Sequence, residues 1–348
     1  MKIAIVTDAW RPQVNGVVRT YENTVLQLEN LGHEVRIINH EGHRTVACPS
    51  YPSIRLAILP KPRLAAQLTV FNPGAVHIAT EGPLGHAARS WCLENRYPFT
   101  TSFHTQFPEY IRMRAPVPVD WSYAYLRRFH HPAKRILVPT PSQRQRLLDR
   151  GFQNVVVWSR GVDMELFKPR NKAFLDLPRP LFMYMGRVAV EKNIEAFLKL
   201  DLPGSKVVVG DGPDMDKLRQ NHPEVHFTGF RFGEELAQYL AAADVFVFPS
   251  LTDTFGIVLL EAMACGIPVA AYPVTGPIDV VRSGVTGILD ENLQKAALAA
   301  LELNPQDCID FARSHSWRRC SEVFAGHLAP IGTNAIGSIK EDAVTKSC

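Results

Sequence analysis

Two carboxylates eight residues apart, Asp253 and Glu261, are the first residues of this sequence whose types and spacing indicate chemistry. Asp253 lies in a short polar loop after the apolar run Val245–Phe248, and Glu261 lies about two turns into the apolar helical segment Ile257–Ala264. With a rise of about 1.5 Å per residue, the two groups are roughly 10 Å apart along the helix axis, too far to share a proton or one metal ion. The spacing is compatible with one elongated ligand held at two points. It is equally compatible with an Asp that caps the helix and a Glu on its exposed face.

The start of this helix offers backbone groups that could bind an anion. Thr254, Phe255 and Gly256 come directly before the apolar part of the helix. The N–H groups at a helix N-terminus are not used within the helix and lie at the positive end of its dipole. Cysteine and glycine at 265–266 then stop the helix before a second apolar run, Ile267–Ala271. The segment is therefore predicted to be strand, loop, helix, strand.

A pair of cations, Arg187 and Lys192, follows another apolar run, Leu181–Met185. Arg187 lies in the loop and Lys192 lies near the start of a predicted helix, Glu191–Leu200. The two side chains can therefore converge on one anion and add to the positive end of the helix dipole. From the residues alone, ordinary surface cations remain the alternative.

Two positions in the first half of the chain are also candidates for function. His104 follows the strand-like run Phe99–Phe103, and Gly16 lies in a long loop after Lys2–Thr7. A lone His near a strand end is usually a structural hydrogen-bonding residue, but ligands of parallel sheets bind at the carboxyl ends of the strands. Gly16 is not part of a G-x-G-x-x-G fingerprint, so a tight dinucleotide turn is not supported and a structural turn is the simpler interpretation.

The elements that must position these residues are parallel strands. Short apolar runs alternate with amphipathic segments, which predicts an α/β protein whose sheets are covered on both faces. The strands predicted in the first half are Lys2–Thr7, Glu34–Asn39, Ile54–Leu59, Ala75–Ala79, Phe99–Phe103 and Arg135–Pro139. Those predicted in the second half are Leu181–Met185, Lys206–Val209, Val225–Phe227, Val245–Phe248 and Ile267–Ala271.

Length and composition indicate a soluble globular protein with two domains. The chain has 348 residues, of which 46% are hydrophobic and 21% charged, and it exceeds the ~150 to 200 residues of one ordinary core. No apolar run reaches the ~18 residues that span a bilayer, and the N-terminus is unlike a signal peptide. The six cysteines form no C-x-x-C pair. Free thiols in a reducing, cytoplasmic compartment are therefore expected, rather than a zinc site or a disulfide framework.

The charge of the chain is unevenly distributed. Residues 1–170 contain 22 Lys and Arg against 12 Asp and Glu, a net charge of +10, whereas the remainder contains 16 against 22, a net charge of −6. The stretch 112–135 is dense in Arg and aromatic residues, a composition typical of surfaces that lie on anionic membranes. A solvated helix face over core aromatics would have the same composition. Since no nucleic-acid-binding motif is recognisable, a membrane is favoured over nucleic acid as the partner of the basic half.

The sequence resembles the family-4 retaining glycosyltransferases, enzymes that use nucleotide-sugar donors. The resemblance lies in Asp-Thr-Phe-Gly (253–256) followed by Glu-Ala-Met-Ala-Cys-Gly-Ile-Pro-Val (261–269), and in Gly-Arg-Val-Ala-Val-Glu-Lys-Asn (186–193). It implies that Asp253 holds hydroxyls of the donor sugar and that Glu261 binds the ribose of the nucleotide. The chain departs from the pattern at Asp253, where many members have Glu.

The resemblance implies roles for the other candidates as well. Arg187 and Lys192 would grip the diphosphate, and the backbone of Gly16 would approach it. His104 would contact the donor sugar near C6, and Phe230 would lie against the nucleotide base, as would its neighbour at 231. The catalytic set is thus expected to be His104, Arg187, Lys192 and Asp253, with Glu261, Phe230, Gly16 and the 254–256 loop binding substrate.

No metal and no cofactor beyond the donor substrate are expected. The triplet Asp214-Met215-Asp216 resembles a D-x-D metal motif, but it falls at a predicted helix start, where acidic residues are favoured for dipole reasons. The charge of the leaving diphosphate would therefore be stabilised by Arg187, Lys192 and a helix N-terminus.

The resemblance also implies an architecture, the GT-B fold, in which two Rossmann-like domains face each other across a cleft. An acceptor-binding domain is expected over 1–168, a linker over 169–180 and a nucleotide-sugar-binding domain over 181–315. A C-terminal helix over 316–330 is expected to cross back to the first domain, and 331–348 to form a loose tail.

The string HTQFPEYI (104–111) is similar to the subgroup that glycosylates diacylglycerol and related lipids. It implies transfer of a hexose or hexuronate, with glucose or glucuronate favoured, from a UDP-sugar to diacylglycerol with retention of configuration. The protein would then be cytoplasmic and peripheral on the inner face of the membrane. Two alternatives stay open at this point: a GDP-mannose- or UDP-glucose-dependent transferase acting on another lipid or a soluble glycan, and a non-enzymatic regulatory protein that binds a nucleotide sugar.

Overall fold

The computed structural model describes residues 1–13, 15–48, 51–114 and 118–331. These residues form two compact units. Unit 1 comprises 1–159 together with the described residues from Trp317 onward, and unit 2 comprises Arg160–Ser316. The predicted tail over 331–348 lies outside the described residues except for its first residue.

Unit 1 is built on a parallel sheet. Its strands, in chain order, are β1 (Lys2–Val6), β2 (Glu34–Ile38), β3 (Thr45–Cys48), β4 (Tyr51–Ala57), β5 (Ala75–Ile78), β6 (Phe99–Ser102), β7 (Ile136–Val138) and β8 (Val155–Val157). Six of them form the sheet in the order β2-β1-β5-β6-β7-β8, and every pairing in it is parallel. The predicted parallel α/β architecture of this half is confirmed.

The prediction was wrong for Ile54–Leu59, which was expected to join the parallel sheet. Strand β4 instead pairs antiparallel with β3 in a separate two-stranded sheet. The reason lies in the connection, because β3 ends at Cys48 and β4 begins at Tyr51. So short a connection allows an antiparallel pair, whereas a parallel pair needs a crossover of about a dozen residues or more. Conversely, the sequence did not predict strand β8, because Val155–Val157 is only three residues long.

Helices connect the strands of unit 1: α1 (Gly16–Asn30), α2 (Lys61–Phe71), α3 (Pro83–Glu94), α4 (Phe107–Arg114), α5 (Val119–His130) and α6 (Pro141–Asp149). The longest, α1, begins where the Asn15 side chain accepts hydrogen bonds from the N–H groups of Val17 and Val18. Its buried face includes Tyr21 and Leu28, which lie in a core cluster on one face of the sheet. This face holds Tyr21 against the sheet near the carboxyl end of β5.

Unit 2 is built on a second parallel sheet. Its strands are β9 (Leu181–Met185), β10 (Ser205–Val209), β11 (His226–Gly229), β12 (Val245–Phe248), β13 (Val269–Ala271) and β14 (Gly287–Leu289). They lie in the order β11-β10-β9-β12-β13-β14, again with parallel pairing throughout. The strand order reverses between β9 and β12, and in open parallel sheets ligands bind at the carboxyl ends of the strands beside such a reversal.

The helices of unit 2 cover both faces of this sheet: α7 (Ile194–Leu198), α8 (Met215–Asn221), α9 (Gly233–Ala241), α10 (Ile257–Ala264), α11 (Pro277–Val280), α12 (Leu293–Ala300) and α13 (Pro305–Arg313). Alternate residues of β9 enter two different cores, Met183 and Met185 on one face and Phe182 and Tyr184 on the other. Strands buried on both faces read as continuous apolar runs, which is why these strands were predictable.

The predicted helix Glu191–Leu200 is not one continuous helix. The structure has a 3₁₀ turn, Val190–Lys192, followed by α7. Between them Asn193 has a φ of 52°, in the left-handed region, which interrupts the helical path. Lys192 therefore belongs to a tight turn and does not stand at the N-terminus of a long helix.

The chain returns to unit 1 in α14 (Trp317–His327). Phe324 of this helix is fully buried beside Trp158, and the Trp158 indole N–H donates to the carbonyl of Cys320 at 3.1 Å. Residues 160–168, which the sequence analysis grouped with the first domain, pack within unit 2. Val162 forms a bridge with Ser316 there, and Phe167 lies in the unit 2 core.

Candidate active site

The two loops that flank the reversal of strand order in unit 2 carry the predicted charged residues. Arg187 and Lys192 follow β9, and Asp253 follows β12. Lys192 donates to both carboxylate oxygens of Asp253, at 2.8 and 2.7 Å. Both side chains are mostly enclosed, with 19% of Lys192 and 17% of Asp253 exposed. Because a charge-assisted pair in a partly enclosed site is stronger than one in bulk water, this contact fixes the Lys192 ammonium at the sheet edge.

Arg187 has a partner that the sequence analysis did not single out. Its guanidinium contacts the carboxylate of Glu191, whose side chain is only 1% exposed, while Arg187 itself is one-third exposed. Behind the loop the buried Tyr184 hydroxyl donates to the carbonyl of Arg187 at 2.9 Å, and burial raises the pKa of Tyr184. Glu191 thus orients the guanidinium, and Tyr184 holds the backbone beneath it.

The 3₁₀ turn brings the β9 and β12 loops together. Asn193 is left-handed, and its side-chain amide donates to the carbonyl of Pro249, at the end of β12, at 3.0 Å. Asn tolerates this backbone conformation better than most residues. The contact ties the residue after Lys192 to the loop that holds Asp253, so the pairing of these two side chains is built into the backbone.

Helix α10 begins at this edge of the sheet. Its N-cap, Gly256, has a φ of 81°, and Gly276 of the following loop has a φ of 99°. A Cβ on Gly276 would lie 3.1 Å from the Asp253 carbonyl and 3.3 Å from the Phe255 carbonyl. The 253–256 loop, which includes Thr254, is therefore held by close backbone contact, and it aims the N-terminus of α10 at the same edge as Lys192.

Glu261 lies within α10 and is almost completely buried, with 2% of its surface exposed. The interpretation of Glu261 as an exposed residue on an amphipathic helix is therefore wrong. The neighbouring Cys265 thiol has a pKa raised to about 12, by burial first and by the Glu261 charge second. Glu261 is therefore a buried carboxylate on a core helix that begins at the candidate site.

The loop after β10 supports the loop of Arg187 from below. A Cβ on Gly210 would lie 1.9 Å from the Gly186 carbonyl oxygen, and a Cβ on Gly212 would lie 2.2 Å from the Val188 carbonyl oxygen. Such distances leave no room for any side chain. Neither glycine is assigned this supporting role from the sequence alone.

Phe230, predicted to lie against the nucleotide base, follows β11 and is 43% exposed. It stacks with Phe232, itself 58% exposed, with ring centroids 5.9 Å apart and an interplanar angle of 23°. Arg231, between them, points elsewhere, since it pairs with Glu235 at 2.9 Å. An exposed pair of parallel aromatic rings offers a planar ligand an apolar face, and Phe232 was not predicted to take part.

Unit 1 holds the remaining predicted residues, His104 and Gly16. Gly16 is the first residue of α1. His104 follows β6, is partly buried, and its Nε2 lies 2.8 Å from the hydroxyl of Tyr21. Tyr21 in turn contacts the buried His77 of β5. Neither Tyr21 nor His77 was singled out from the sequence, since a Tyr on the apolar face of a helix and a His within a strand look like ordinary core residues.

Two more polar groups lie at the carboxyl ends of strands in unit 1. The buried Asp8 accepts hydrogen bonds from the Leu84 N–H and the Thr80 hydroxyl, and burial raises its pKa. Glu81 contacts Nε2 of the buried His130 at 3.2 Å. Asp8 therefore caps the start of α3, and Glu81 is paired with the buried His130.

Within the described ranges no group of three or more His, Cys, Asp or Glu is arranged to hold a metal ion. In the same residues, no helix combines the length and the apolar character that crossing a membrane requires. The cysteines Cys48, Cys92, Cys265, Cys308 and Cys320 are free thiols.

Comparison with known proteins identifies both halves of the chain. Residues 14–166 match the family model described as Glycosyltransferase Family 4, and residues 179–303 match the model described as Glycosyl transferases group 1. A GDP-mannose-dependent alpha-mannosyltransferase of Mycolicibacterium smegmatis is 34% identical over 83% of this chain and 84% of its own length. A sulfoquinovosyl transferase of Arabidopsis thaliana is 31% identical over 79% of this chain and 61% of its own length.

Solved structures agree on the fold. The sucrose-phosphate synthase of Thermosynechococcus elongatus matches with a TM-score of 0.74 and 20% sequence identity, covering 93% of this chain and 97% of that chain. At this level of identity the likeness establishes the fold and leaves the substrate open. The predicted α/β class with two Rossmann-like domains is thus confirmed by both the strand order and the structural match.

Proposed function

This chain belongs to glycosyltransferase family 4 and is a hexosyltransferase with a nucleotide-sugar donor, and on that basis we propose that it transfers a hexose to a lipid acceptor with retention of the α configuration. The observation that carries the proposal is the cationic edge of unit 2. Lys192, fixed by Asp253, and Arg187, fixed by Glu191, stand beside the N-terminus of α10 where the strand order reverses.

This arrangement suits a diphosphate leaving group. As the anomeric bond breaks, negative charge develops on the diphosphate, and preorganised cations and helix N–H groups stabilise that charge without further reorganisation. Arg187 and Lys192 are assigned to the diphosphate, with the 254–256 backbone beside them. Glu261 is assigned to the ribose hydroxyls and the stacked rings at Phe230 to the base.

We assign no protein base to the reaction. Retaining hydrolases use two carboxyl groups about 5 Å apart as nucleophile and acid, and the Asp253 carboxylate is engaged by Lys192 at both oxygens. In the proposed mechanism the departing phosphate accepts the acceptor proton on the same face of the sugar, so configuration is retained. Asp253 then binds donor-sugar hydroxyls while it holds Lys192, and His104 contacts the sugar near C6. No protein metal ligand enters this scheme.

We propose GDP-mannose as the donor. The resemblance of the sequence to lipid glycosyltransferases favours a UDP-sugar carrying glucose or glucuronate. The relatives change that preference, since GDP-mannose-dependent enzymes of two mycobacteria are 34% and 31% identical to this chain. A UDP-linked hexose is the second candidate donor. The stacked pair Phe230 and Phe232 presents only an apolar face. This pair therefore offers no hydrogen bonds that would select guanine over uracil.

The lipid acceptor is supported by the surface of α5. Trp121 is 73% exposed and Tyr125 is 55% exposed. A neighbouring open cleft is lined by Arg89, Ala124, Arg127, Arg128 and His131. Aromatic rings settle at the headgroup level of a bilayer while basic side chains attract anionic lipids. This surface supports our proposal that the enzyme works at an anionic membrane face, on the cytoplasmic side.

Reversing the charge of Arg128 tests this placement. Arg128→Glu changes the charge near the bilayer by two units, and each unit contributes about 1 kcal/mol at the surface. Binding to vesicles that contain anionic lipid is expected to weaken by about an order of magnitude or more, measured by cosedimentation. Arg318→Glu is the matched control, because Arg318 is an exposed residue of α14 that pairs with Glu322 of the same helix. Equal binding of both variants would remove the support for a membrane face.

The function itself is tested with purified protein and a panel of labelled donors, each supplied with diacylglycerol, a glycosylated diacylglycerol or a soluble glycan. The expected result is transfer from GDP-mannose to a lipid, with the product identified by mass and its anomeric configuration by NMR. Product formed only on the soluble glycan would reject the lipid acceptor. Transfer only from UDP-sugars would reject the donor assignment.

A further inference from the structure

A chain of buried polar side chains stands behind His104 in unit 1. The hydroxyl of Tyr21 lies 2.8 Å from Nε2 of His104, 2.9 Å from Nε2 of His77 and 3.1 Å from the hydroxyl of Ser102. On its other side His77 contacts the hydroxyl of Thr100 through Nδ1 at 2.8 Å. Apart from His104, which is partly buried, all of these residues are 0% or 1% exposed.

The phenol at the centre of this chain has one proton. A tyrosine hydroxyl donates one hydrogen bond and accepts others, and a neutral histidine is a donor at one ring nitrogen and an acceptor at the other. If Tyr21 donates to Nε2 of His104, the Nδ1 of that ring carries the proton. If Tyr21 donates to Ser102 or to His77 instead, Nε2 of His104 becomes the donor and its Nδ1 an acceptor. The hydrogen-bonding character of His104 is thus set by a residue buried behind it.

The ring of His104 is also held in orientation. It meets the Tyr21 ring edge to face, with centroids 5.2 Å apart and planes at 90°, and it packs against the indole of Trp158 at 6.0 Å. Packing restricts the tilt of the imidazole, while the hydrogen bond between Nε2 and the Tyr21 hydroxyl fixes its rotation. Such second partners commonly fix the tautomer and direction of a functional histidine.

We propose that Tyr21 is a positioning residue of the transfer reaction, which fixes the tautomer and the rotation of His104 toward the donor sugar. The proposal rests on the proposed function for the role of His104 but adds a residue outside the motifs that identify the family. Because Tyr21 is buried and lies behind the histidine, its effect on the reaction is expected to pass through His104.

Kinetics test the proposal first. Tyr21→Phe keeps the ring and removes the hydroxyl, and it is expected to lower kcat roughly tenfold with KM for the donor changed less than about twofold. His104→Ala should lower kcat at least as much, and Tyr21→Phe added to His104→Ala should cause almost no further loss, because coupled residues are not additive. The control is Thr24→Val on the same helix, whose buried hydroxyl donates to the Thr20 carbonyl at 2.7 Å and which should retain wild-type kcat.

A second measurement is independent of activity. In protein with ¹⁵N-labelled histidine, the ring nitrogens of His104 should report a single neutral tautomer, with His104→Gln identifying the signals. Tyr21→Phe should move both signals toward the values of exchanging tautomers, whereas Thr24→Val should leave them in place. Unchanged His104 signals in Tyr21→Phe, or losses that add fully in the double variant, would overturn the proposal.

The two tests separate this inference from the proposed function. A wild-type protein that transfers no sugar from any donor rejects the proposed function, and the histidine spectrum then still decides whether Tyr21 fixes His104. A wild-type protein that transfers mannose while Tyr21→Phe retains full kcat rejects only the role of Tyr21.

Discussion

Replacing Lys192 with alanine is expected to lower turnover at least tenfold, and up to about a hundredfold, while the protein stays folded. A charge-assisted hydrogen bond contributes about 1.5 to 3 kcal/mol, and it accelerates the reaction only if it strengthens as charge develops on the leaving diphosphate. The substitution also leaves the carboxylate of Asp253 without the ammonium that now contacts both of its oxygens. That negative charge would then repel the diphosphate, which adds to the loss.

The matched control for Lys192→Ala is Lys199→Ala. Lys199 is 68% exposed and forms an ion pair with Glu195 one turn earlier, a type of contact that contributes little to stability. Turnover of Lys199→Ala should equal that of the wild type when both are measured with saturating donor. The melting temperature of each variant should stay close to that of the wild type, which separates a chemical loss from an unfolded enzyme. Near-normal turnover of Lys192→Ala would reject its assignment to the diphosphate.

The sequence was sufficient to predict where the candidate residues lie relative to the strands. Arg187, Lys192 and Asp253 follow continuous apolar runs and Glu261 lies within one, whereas their functional roles come from the family resemblance and stay predictions. Strands buried on both faces produce such runs, and the ends of these strands converge at one edge of a parallel sheet. Local pattern and overall fold agreed there, so the prediction needed no tertiary information.

The features that the sequence did not predict depend on contacts between residues that are far apart in the chain. Nothing near Asp253 indicates that its carboxylate faces an ammonium 61 residues earlier, and nothing near Tyr21 indicates His104, 83 residues later. Segment Ile54–Leu59 has an apolar pattern like that of other strands, but its partner is β3 rather than the parallel sheet. Pairing and side-chain orientation of this kind are tertiary properties, which propensity and periodicity do not encode.

The support of the Arg187 loop by Gly210 leads to the second large expected effect: Gly210→Ala should destabilise unit 2 by more than about 3 kcal/mol. Gly210 has a φ of 139°, a backbone conformation that residues with a Cβ rarely adopt. In addition, the new Cβ would lie 1.9 Å from the carbonyl oxygen of Gly186. This neighbour is backbone, so it cannot move aside as a flexible side chain would. Relief of the contact requires the 186–188 loop to shift, and Arg187 must shift with it.

Gly284→Ala separates the two causes of this loss, which are the positive φ and the contact of the new Cβ with the backbone. Gly284 also has a positive φ, 83°, but a Cβ placed there meets nothing within 4 Å, so this variant should cost only the ~1 to 2 kcal/mol of a left-handed residue. Thermal unfolding of both variants would measure the difference, and turnover below the melting temperature should fall in Gly210→Ala alone, because only that loop carries Arg187. Equal melting temperatures and equal turnover in the two variants would mean that the backbone contact between Gly210 and Gly186 does not position the site. A large loss of stability and turnover confined to Gly210→Ala would instead show that diphosphate binding depends on this contact between two loops, which is made by backbone atoms alone.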